Sequence, residues 1–447
     1  MRIAILGGGF TGMTAAYYLS KKGHEVTLFE KEKVLGGLAV GFKPPDWDWY
    51  LERAYHHLLD SENEILDFAN EIKFEDIFFK ETQTSSLYEI SSKTPEVFPL
   101  CSSTSGVGNY RTIPLDSPQD LLRFPLLSFP EKIRAGIILA FLKFSPFLSL
   151  YEKQTAEDFL KKTQGKHVWE VLWRQLFRKK FGKYAENILA SFIWARITKR
   201  AKKLGYIKGG FQTFINYVEN KLKNLRVKVL TGYEIKVIEK RGEAFEINNT
   251  EKFDAVISTL PTVIMSKITR SILPNTYLRR FSKLKYLHAV VLILETKQKI
   301  LKKTYWLNIC SPKIPIMIVA QHTNFIDKKH YGRNHIVYVG WYVDREDPLI
   351  KMSAKEVLNY CLPHLKKITD NPTLLKLRGT GRLQINNYYK FVGPFAQPIY
   401  DKDFLKNKPD FITPVKNFYI ANLDMTYPYD RGTNYAVKLG REVSKLI

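Results

Sequence analysis

Gly7, Gly9 and Gly12, with Glu30 standing 18 residues beyond the last of them, have the spacing of a dinucleotide-binding loop. Gly7 permits the tight strand-to-helix turn, Gly9 lets the backbone approach a pyrophosphate, and Gly12 lets a helix pack closely on its strand. Phe10 and Thr11 lie between the last two glycines. A pyrophosphate at this loop rests on free N–H groups at a helix N-terminus, where the helix dipole favours negative charge. Glu30 ends the second strand, so its carboxylate can accept hydrogen bonds from both hydroxyls of an adenosine ribose while repelling a 2′-phosphate. A second pair, Gly36-Gly37 before Leu38, is not needed by a plain NAD domain. It allows another backbone approach, to the phosphates and ribityl chain of a longer cofactor.

Other residues could act on a substrate. Tyr55-His56-His57 holds the one adjacent pair among nine scattered histidines. Histidine is the side chain most easily tuned for proton transfer near neutral pH, so His57 and His56 are the candidate catalytic groups. Trp194 and Arg196 could line a pocket, with Arg196 binding a carboxylate or phosphate bidentately. Near the C-terminus, Asn417 to Asn422 reads as a short strand, followed by a polar turn through Gly432, Thr433 and Asn434 and a helix from about Tyr435. That turn again offers backbone N–H groups to an anion or polarised carbonyl. No Ser/His/Asp arrangement is persuasive. Cys101, Cys310 and Cys361 are odd in number and in no CxxC pattern, which argues for buried thiols in a reducing compartment and against a zinc site or disulfide framework.

The elements that must position these residues follow from pattern. Ile3 to Leu6 and Val26 to Phe29 read as strands, separated by a helix with Ala15, Ala16 and Leu19 on its apolar face. From about residue 61 to 205 the pattern is mainly helical, with a helix over Glu62 to Ile72 and a Thr155/Asp158 cap. Strand signals return at Val227 to Leu230, Ile235 to Ile238, Ala244 to Ile247 and Phe253 to Thr259. Longer β-rich runs follow at Leu287 to Glu295, Ile314 to Ala320 and Ile336 to Val343, then a helix opened by the Ser353/Glu356 capping box. The apolar stretch Ala135 to Leu150, broken by Lys143 and Pro146, is shorter than the about 20 residues a transmembrane helix needs. It reads as a buried helix of a substrate domain, the alternative being a helix whose apolar face dips into a membrane surface.

At 447 residues and 45% hydrophobic content the chain can build two or three domains around sizeable cores. Its net charge is +25, and residues 151 to 210 alone carry fifteen Lys/Arg against five Asp/Glu. A solvated face comes first as the meaning of that charge, an anionic membrane or substrate second, and nucleic acid a distant third, because no reading module accompanies it. The N-terminus lacks the apolar run of a signal peptide, so a cytoplasmic location is expected, with peripheral membrane contact open.

Together these residues resemble the FAD-dependent amine oxidoreductase superfamily, in particular its protoporphyrinogen oxidase-like and phytoene desaturase-like members. Gly7, Gly9, Gly12, Glu30 and Gly36-Gly37-Leu38 match its FAD pattern; Tyr55 to His57, Lys180-Phe181-Gly182, Gly209-Gly210-Phe211, Ser258 to Pro261 and Tyr427 to Asn434 look like recurring segments. The resemblance implies an α/β fold: a discontinuous Rossmann-like FAD-binding domain over residues 1–60, 206–268 and 395–447, and an inserted α+β substrate domain over 61–205 and 269–394. It implies FAD held by Gly7, Gly9, Phe10, Thr11, Gly12, Glu30, Lys31, Gly36, Gly37 and Leu38. Ile235 matches the backbone position beside adenine, with Asn422, Gly432 and Thr433 near the ribityl chain and the flavin. Relatives often carry Gly-Asp where this chain has Ala421-Asn422, which removes a negative charge there.

The activity implied is a flavin-dependent dehydrogenase, desaturase or oxidase that moves hydride from an apolar or anionic small molecule to flavin N5. Two alternatives share the fold: a non-redox flavoenzyme resembling UDP-galactopyranose mutase, and a non-catalytic binding protein resembling the prenyl-protein escort proteins. No metal is expected.

Overall fold

The computed structural model describes residues 1–90, 109–201, 203–369, 371 and 383–447; Cys101 and Lys202 lie outside them. Five parallel strands form one sheet, labelled here in chain order: β1 (Arg2–Leu6), β2 (Glu25–Glu30), β3 (Lys228–Thr231), β4 (Ala255–Ser258) and β5 (Phe418–Ile420). Their spatial order is β3-β2-β1-β4-β5. Ile3, Ala4, Ile5 and Leu6 are all fully buried, as expected for a central strand with both faces covered. Helix α1 (Phe10–Lys21) follows β1 directly and packs through Ala15, Ala16 and Leu19. Three separated stretches of chain therefore supply one sheet.

The second sheet has seven strands. A long strand next to one edge, Tyr286–Thr296, pairs antiparallel with the edge strand Ile385–Pro398 on one side and with His335–Val343 on the other. Beyond His335–Val343 come Ile318–Gln321, Trp306–Ile309, Thr84–Glu89 and Tyr110–Pro114. The last two lie within 61–205, whose described residues are otherwise mainly helical as expected: Thr84–Glu89 pairs parallel with Trp306–Ile309 and antiparallel with Tyr110–Pro114. These strands are five or six residues long, too short for their periodicity to stand out beside the helices around them. The run from Ile314 is also strand only over Ile318–Gln321. The Ser353/Glu356 capping box holds, each side chain satisfying the other's backbone N–H, whereas Thr155 caps its helix by accepting from the Asp158 N–H while Asp158 accepts from the Thr155 hydroxyl rather than its backbone N–H.

Two further expectations are corrected. Ile235 is not in a strand, because strand pairing begins at Ile238. The Asn248 side chain accepts from the N–H groups of Lys236 and Val237 and donates to the Glu234 carbonyl, taking the backbone groups a ladder would use. The apolar stretch after residue 129 forms helix α2 (Phe129–Phe144), which is not buried all round: Ala135 and Leu142 face the interior while Ile137, Phe141 and Phe144 are exposed. Among the described residues no helix is long and apolar enough to cross a membrane.

Glu52, fully buried, ties its own segment to residues 206–211. Its carboxylate accepts from the Tyr206 hydroxyl at 2.7 Å and from the Phe211 N–H at 2.7 Å, where the helix Phe211–Asn224 begins. Burial raises this carboxyl from 4.5 to about 7. A carboxyl whose folded value is raised stabilises the fold fully below its unfolded value, and that contribution is lost as pH rises through about 7. Glu52→Gln should therefore flatten the stability profile, removing up to about 3 kcal/mol of the change between mildly acidic and neutral pH. Denaturant titrations of both proteins across that range would show it, and parallel curves would exclude this role.

Candidate active site

The two glycine loops face each other. Gly7, at φ 108°, turns the chain from β1 into α1, and a Cβ on Gly12 would come within 2.0 Å of the Gly7 carbonyl oxygen. The Gly36 N–H donates to the Gly8 carbonyl at 2.9 Å, holding the second loop against the first. A Cβ on Gly37, itself at φ 56°, would lie 3.2 Å from the Gly9 Cα. No side chain caps the N-terminus of α1, so its first-turn N–H groups are open to an anion.

Glu30 lies at the floor of this cradle, 8% exposed, where Oε2 accepts from the Gly8 N–H at 2.8 Å and Oε1 from the Glu32 N–H at 2.9 Å. The Gly232 and Tyr233 N–H groups donate to the Glu32 and Glu30 carbonyls, which brings the loop carrying half-buried Ile235 alongside. Phe10 and Thr11 are buried, Phe10 stacking on Phe214. Leu38 is half-buried, and the Lys31 side chain is exposed beside Glu32.

The C-terminal turn approaches by another route. Helix α4 (Thr433–Val443) starts at Gly432 with no side-chain cap and packs on α1 so closely that a Cβ on Gly440 would sit 2.5 Å from the Thr11 carbonyl oxygen. Asn422, just after β5, donates from its amide to the Leu260 carbonyl and the Thr262 hydroxyl and accepts from the Asp424 N–H. Both its amide hydrogens are thus engaged within the protein.

A charged cluster forms where this turn meets the inserted segments. The Lys180 ammonium donates to Asp430 Oδ2 at 2.7 Å, and Arg196, on helix α3 (Ala190–Thr198), donates to the same oxygen at 2.8 Å. Arg431 donates to Gln397 Oε1 at 2.6 Å, and its guanidinium lies 4.8 Å from the centre of the Tyr342 ring, which Lys180 also approaches. Burial lowers Lys180 to about 7 despite Asp430, with Arg196 and Arg431 adding to the fall. Burial acts to raise Asp430, but Lys180 and Arg196 outweigh it and hold its carboxyl below the ordinary range.

His56 and His57 stand within electrostatic reach of these cations. Burial lowers both to about 4, aided for His56 by Arg431 and for His57 by its neighbour His56 and by Arg196. They are therefore neutral at pH 7, and Lys180 is the group of this cluster that titrates near neutrality. His56 Nδ1 lies 2.7 Å from the Ala54 carbonyl, which can only accept, so the proton is on Nδ1 and Nε2 is the free acceptor. His57 Nδ1 is buried without a hydrogen-bond partner, between the Tyr305 and Trp306 rings. Trp194 is buried with its indole N–H donated to the Ser145 carbonyl, so it has no donor left for a substrate. No group of three His, Cys, Asp or Glu among the described residues could hold a metal.

The family model of the flavin-containing amine oxidoreductases matches residues 10–447. The chain belongs to that family. The flavin-containing amine oxidoreductase fold is shared at low identity by solved structures. A protein of Exiguobacterium sp. 255-15, provisionally named a protoporphyrinogen oxidase, is 16% identical with a TM-score of 0.73 over 100% of this chain and 98% of that one. Putrescine oxidase bound to putrescine is 15% identical with a TM-score of 0.70, over 100% and 98%. Among curated relatives, the 15-cis-phytoene desaturase of Synechococcus elongatus is 37% identical over 76 residues, which is 17% of this chain and 16% of the desaturase. The chain thus matches well under half the length of such relatives.

This flavin-containing amine oxidoreductase is an enzyme with FAD as cofactor, and its residues fit that group. Gly9, where a Cβ would meet nothing nearer than 3.9 Å, the uncapped starts of α1 and α4 and the carboxylate at the end of β2 are the features that could hold an extended dinucleotide. Sequence reasoning missed Asp430 and Arg431 as site residues, although both lie in the turn it singled out; a charged Asp-Arg pair in a segment otherwise rich in aromatic and small residues was the available signal.

Proposed function

We infer that this enzyme oxidises a neutral or acidic, largely apolar organic molecule, with hydride passing to the flavin. The observation that carries the reading is the sharing of one carboxylate, Asp430, among Lys180, Arg196 and Arg431, in a setting of aromatic rings. With Lys180 protonated, three cations against one anion leave a surplus of positive charge, which attracts a carboxylate and repels a protonated amine. Residues 1–60, 206–268 and 395–447 are assigned to the cofactor and 61–205 and 269–394 to the substrate; the placement of the cluster between residues of both groups supports that division. FAD supplies the electron acceptor. The chain's own residues orient the substrate at the cations and keep water out, with the free Nε2 of His56 available as a hydrogen-bond acceptor. Cys310 and Cys361 are free, buried and raised by burial to about 12, as suits a cytoplasmic enzyme.

Anaerobic mixing tests the reading. Flavin absorbance should bleach with a neutral isoprenoid, a porphyrinogen or an apolar carboxylic acid and persist with putrescine; bleaching by putrescine alone would overturn it. The surplus positive charge would also suit a nucleotide sugar. Flavin that stays reduced while a UDP-sugar isomerises would replace net oxidation by that second reading.

A further inference from the structure

Helix α2 presents an unpartnered apolar row to solvent. Phe129, Ile133, Ile137, Phe141 and Phe144 are 69%, 41%, 62%, 52% and 83% exposed. Their spacing of four, four, four and three residues places them on one face of a helix about 24 Å long. Phe147 and Leu150 extend the exposed apolar surface past its end. The opposite face is already used: Ala135 and Leu142 are fully buried, and Ile138 and Leu139 pack against core residues. Folding therefore does not account for the outward row, and soluble monomers rarely leave so contiguous an apolar surface uncovered.

The charge around the row indicates what covers it. Arg123, Lys132, Arg134, Lys143 and Lys153 lie on or beside α2, and among the described residues none of the five forms an ion pair with a carboxylate. Arg134 is fixed to the carbonyls of Lys162 and Thr163, and Lys143 to those of Thr198 and Arg200, which holds both cations in place without neutralising them. The acidic residues between 122 and 153 are Glu131 and Glu152. Glu131 is engaged by Ser128 and His167, and Glu152 by the Tyr427 hydroxyl. A second copy of this chain would bring another +25 against the same face. Apolar side chains that insert below a ring of cations instead match an anionic lipid surface, whose headgroups pair with the cations while its acyl chains take the rings.

We propose that the Phe129–Phe144 helix docks this enzyme on the surface of an anionic bilayer, lying in the interface rather than crossing it. The docking helix adjoins the charged cluster: Trp194 of α3 donates to the Ser145 carbonyl just past the end of α2, and Arg196 of the same helix reaches Asp430. The bilayer surface thus lies one helix away from the side chains assigned to the substrate. This docking does not depend on the redox reading and fails separately from it.

Flotation of the flavin-loaded protein with vesicles tests the proposal. The protein should float with phosphatidylcholine vesicles containing phosphatidylglycerol, much less with phosphatidylcholine alone, and progressively less as salt is raised. Ile137→Glu with Phe141→Glu should lower the partition coefficient about a hundredfold or more, since two apolar side chains are withdrawn and two negative charges added. Both side chains are exposed, so flavin content and thermal midpoint should match the parent and show that the variant is folded. Lys132→Gln with Lys143→Gln should weaken binding to phosphatidylglycerol vesicles selectively. A parent protein that stays with neither vesicle overturns the proposal, as does a Glu variant that floats like the parent. A parent that is dimeric in solution and becomes monomeric in the Glu variant would assign the face to a second copy instead.

Discussion

Gly9→Ala is expected to leave the apoprotein as stable as the parent while weakening FAD binding about a hundredfold, or about 2.7 kcal/mol. The reason is in the surroundings of Gly9. A Cβ there would find its nearest neighbour, the Gly37 Cα, at 3.9 Å, an ordinary contact, and Gly9 is at φ −76°, open to any residue. The protein alone gives no cause for glycine at this position. Beyond that one contact a methyl group on Gly9 would meet open space, and the requirement it breaks is the close approach of a pyrophosphate to the backbone. Gly12→Ala is the contrasting case. Its Cβ would press to 2.0 Å from a backbone oxygen, so α1 or the turn must move, at a cost of about 3 kcal/mol or more to the apoprotein itself. Thermal unfolding of both apoproteins, with flavin affinity by fluorescence quenching, separates the two outcomes. If Gly9→Ala destabilises the apoprotein as Gly12→Ala does, glycine is required there for packing; if it binds FAD normally, the pyrophosphate does not approach the backbone at Gly9.

That contrast also marks how far the sequence could be read. The nucleotide loop is legible because its determinants are local: three glycines within six residues and an acid at the end of the next strand each have a single steric or charge requirement. The charged cluster is assembled from residues 250 and 234 positions apart in the chain, and no local pattern joins Lys180 or Arg196 to Asp430. Arg196 was recognisable as a carboxylate binder, but the carboxylate nearest it belongs to the chain. Helix α2 was equally opaque: Ile137, Ile138 and Leu139 are all large and apolar, so hydrophobicity could not say which of them meets the core. Tertiary neighbours decide that. The same holds for Ile235, whose segment has strand composition but loses its ladder to a side chain thirteen residues later.

Asp430→Asn should cost this enzyme about 2–3 kcal/mol of stability at neutral pH, below the full range for breaking a completely buried ion pair. The magnitude follows from how exposed each partner is. Side chains of Lys180 and Asp430 are 19% and 22% exposed, so their pairing at 2.7 Å is only weakly screened. Arg196 is 52% exposed, and its bond to the same oxygen adds a fraction of a kcal/mol. Asparagine keeps the shape but leaves Lys180, Arg196 and Arg431 facing one another without an anion. Removing one of them should therefore restore part of the loss, and Lys180→Met combined with Asp430→Asn should be more stable than Asp430→Asn alone.

The pH dependence has a definite sign. Asp430 has a depressed folded value, so its contribution is present above the ordinary carboxylate range and disappears as pH falls through that folded value. Lys180, lowered to about 7, has the same sign in a higher window: the unfolded chain binds the additional proton, so parental stability rises as pH increases from about 7 toward the ordinary lysine value. The difference between parent and Asp430→Asn should accordingly be largest between mildly acidic and neutral pH. It should shrink in strong acid, where Asp430 is protonated, and above neutrality, where Lys180 loses its charge. Equal midpoints for the two proteins at every pH would mean that the cations are solvated independently. In that case the surplus positive charge that selects an acidic substrate would lose its structural basis, because the cations would not be held together around Asp430.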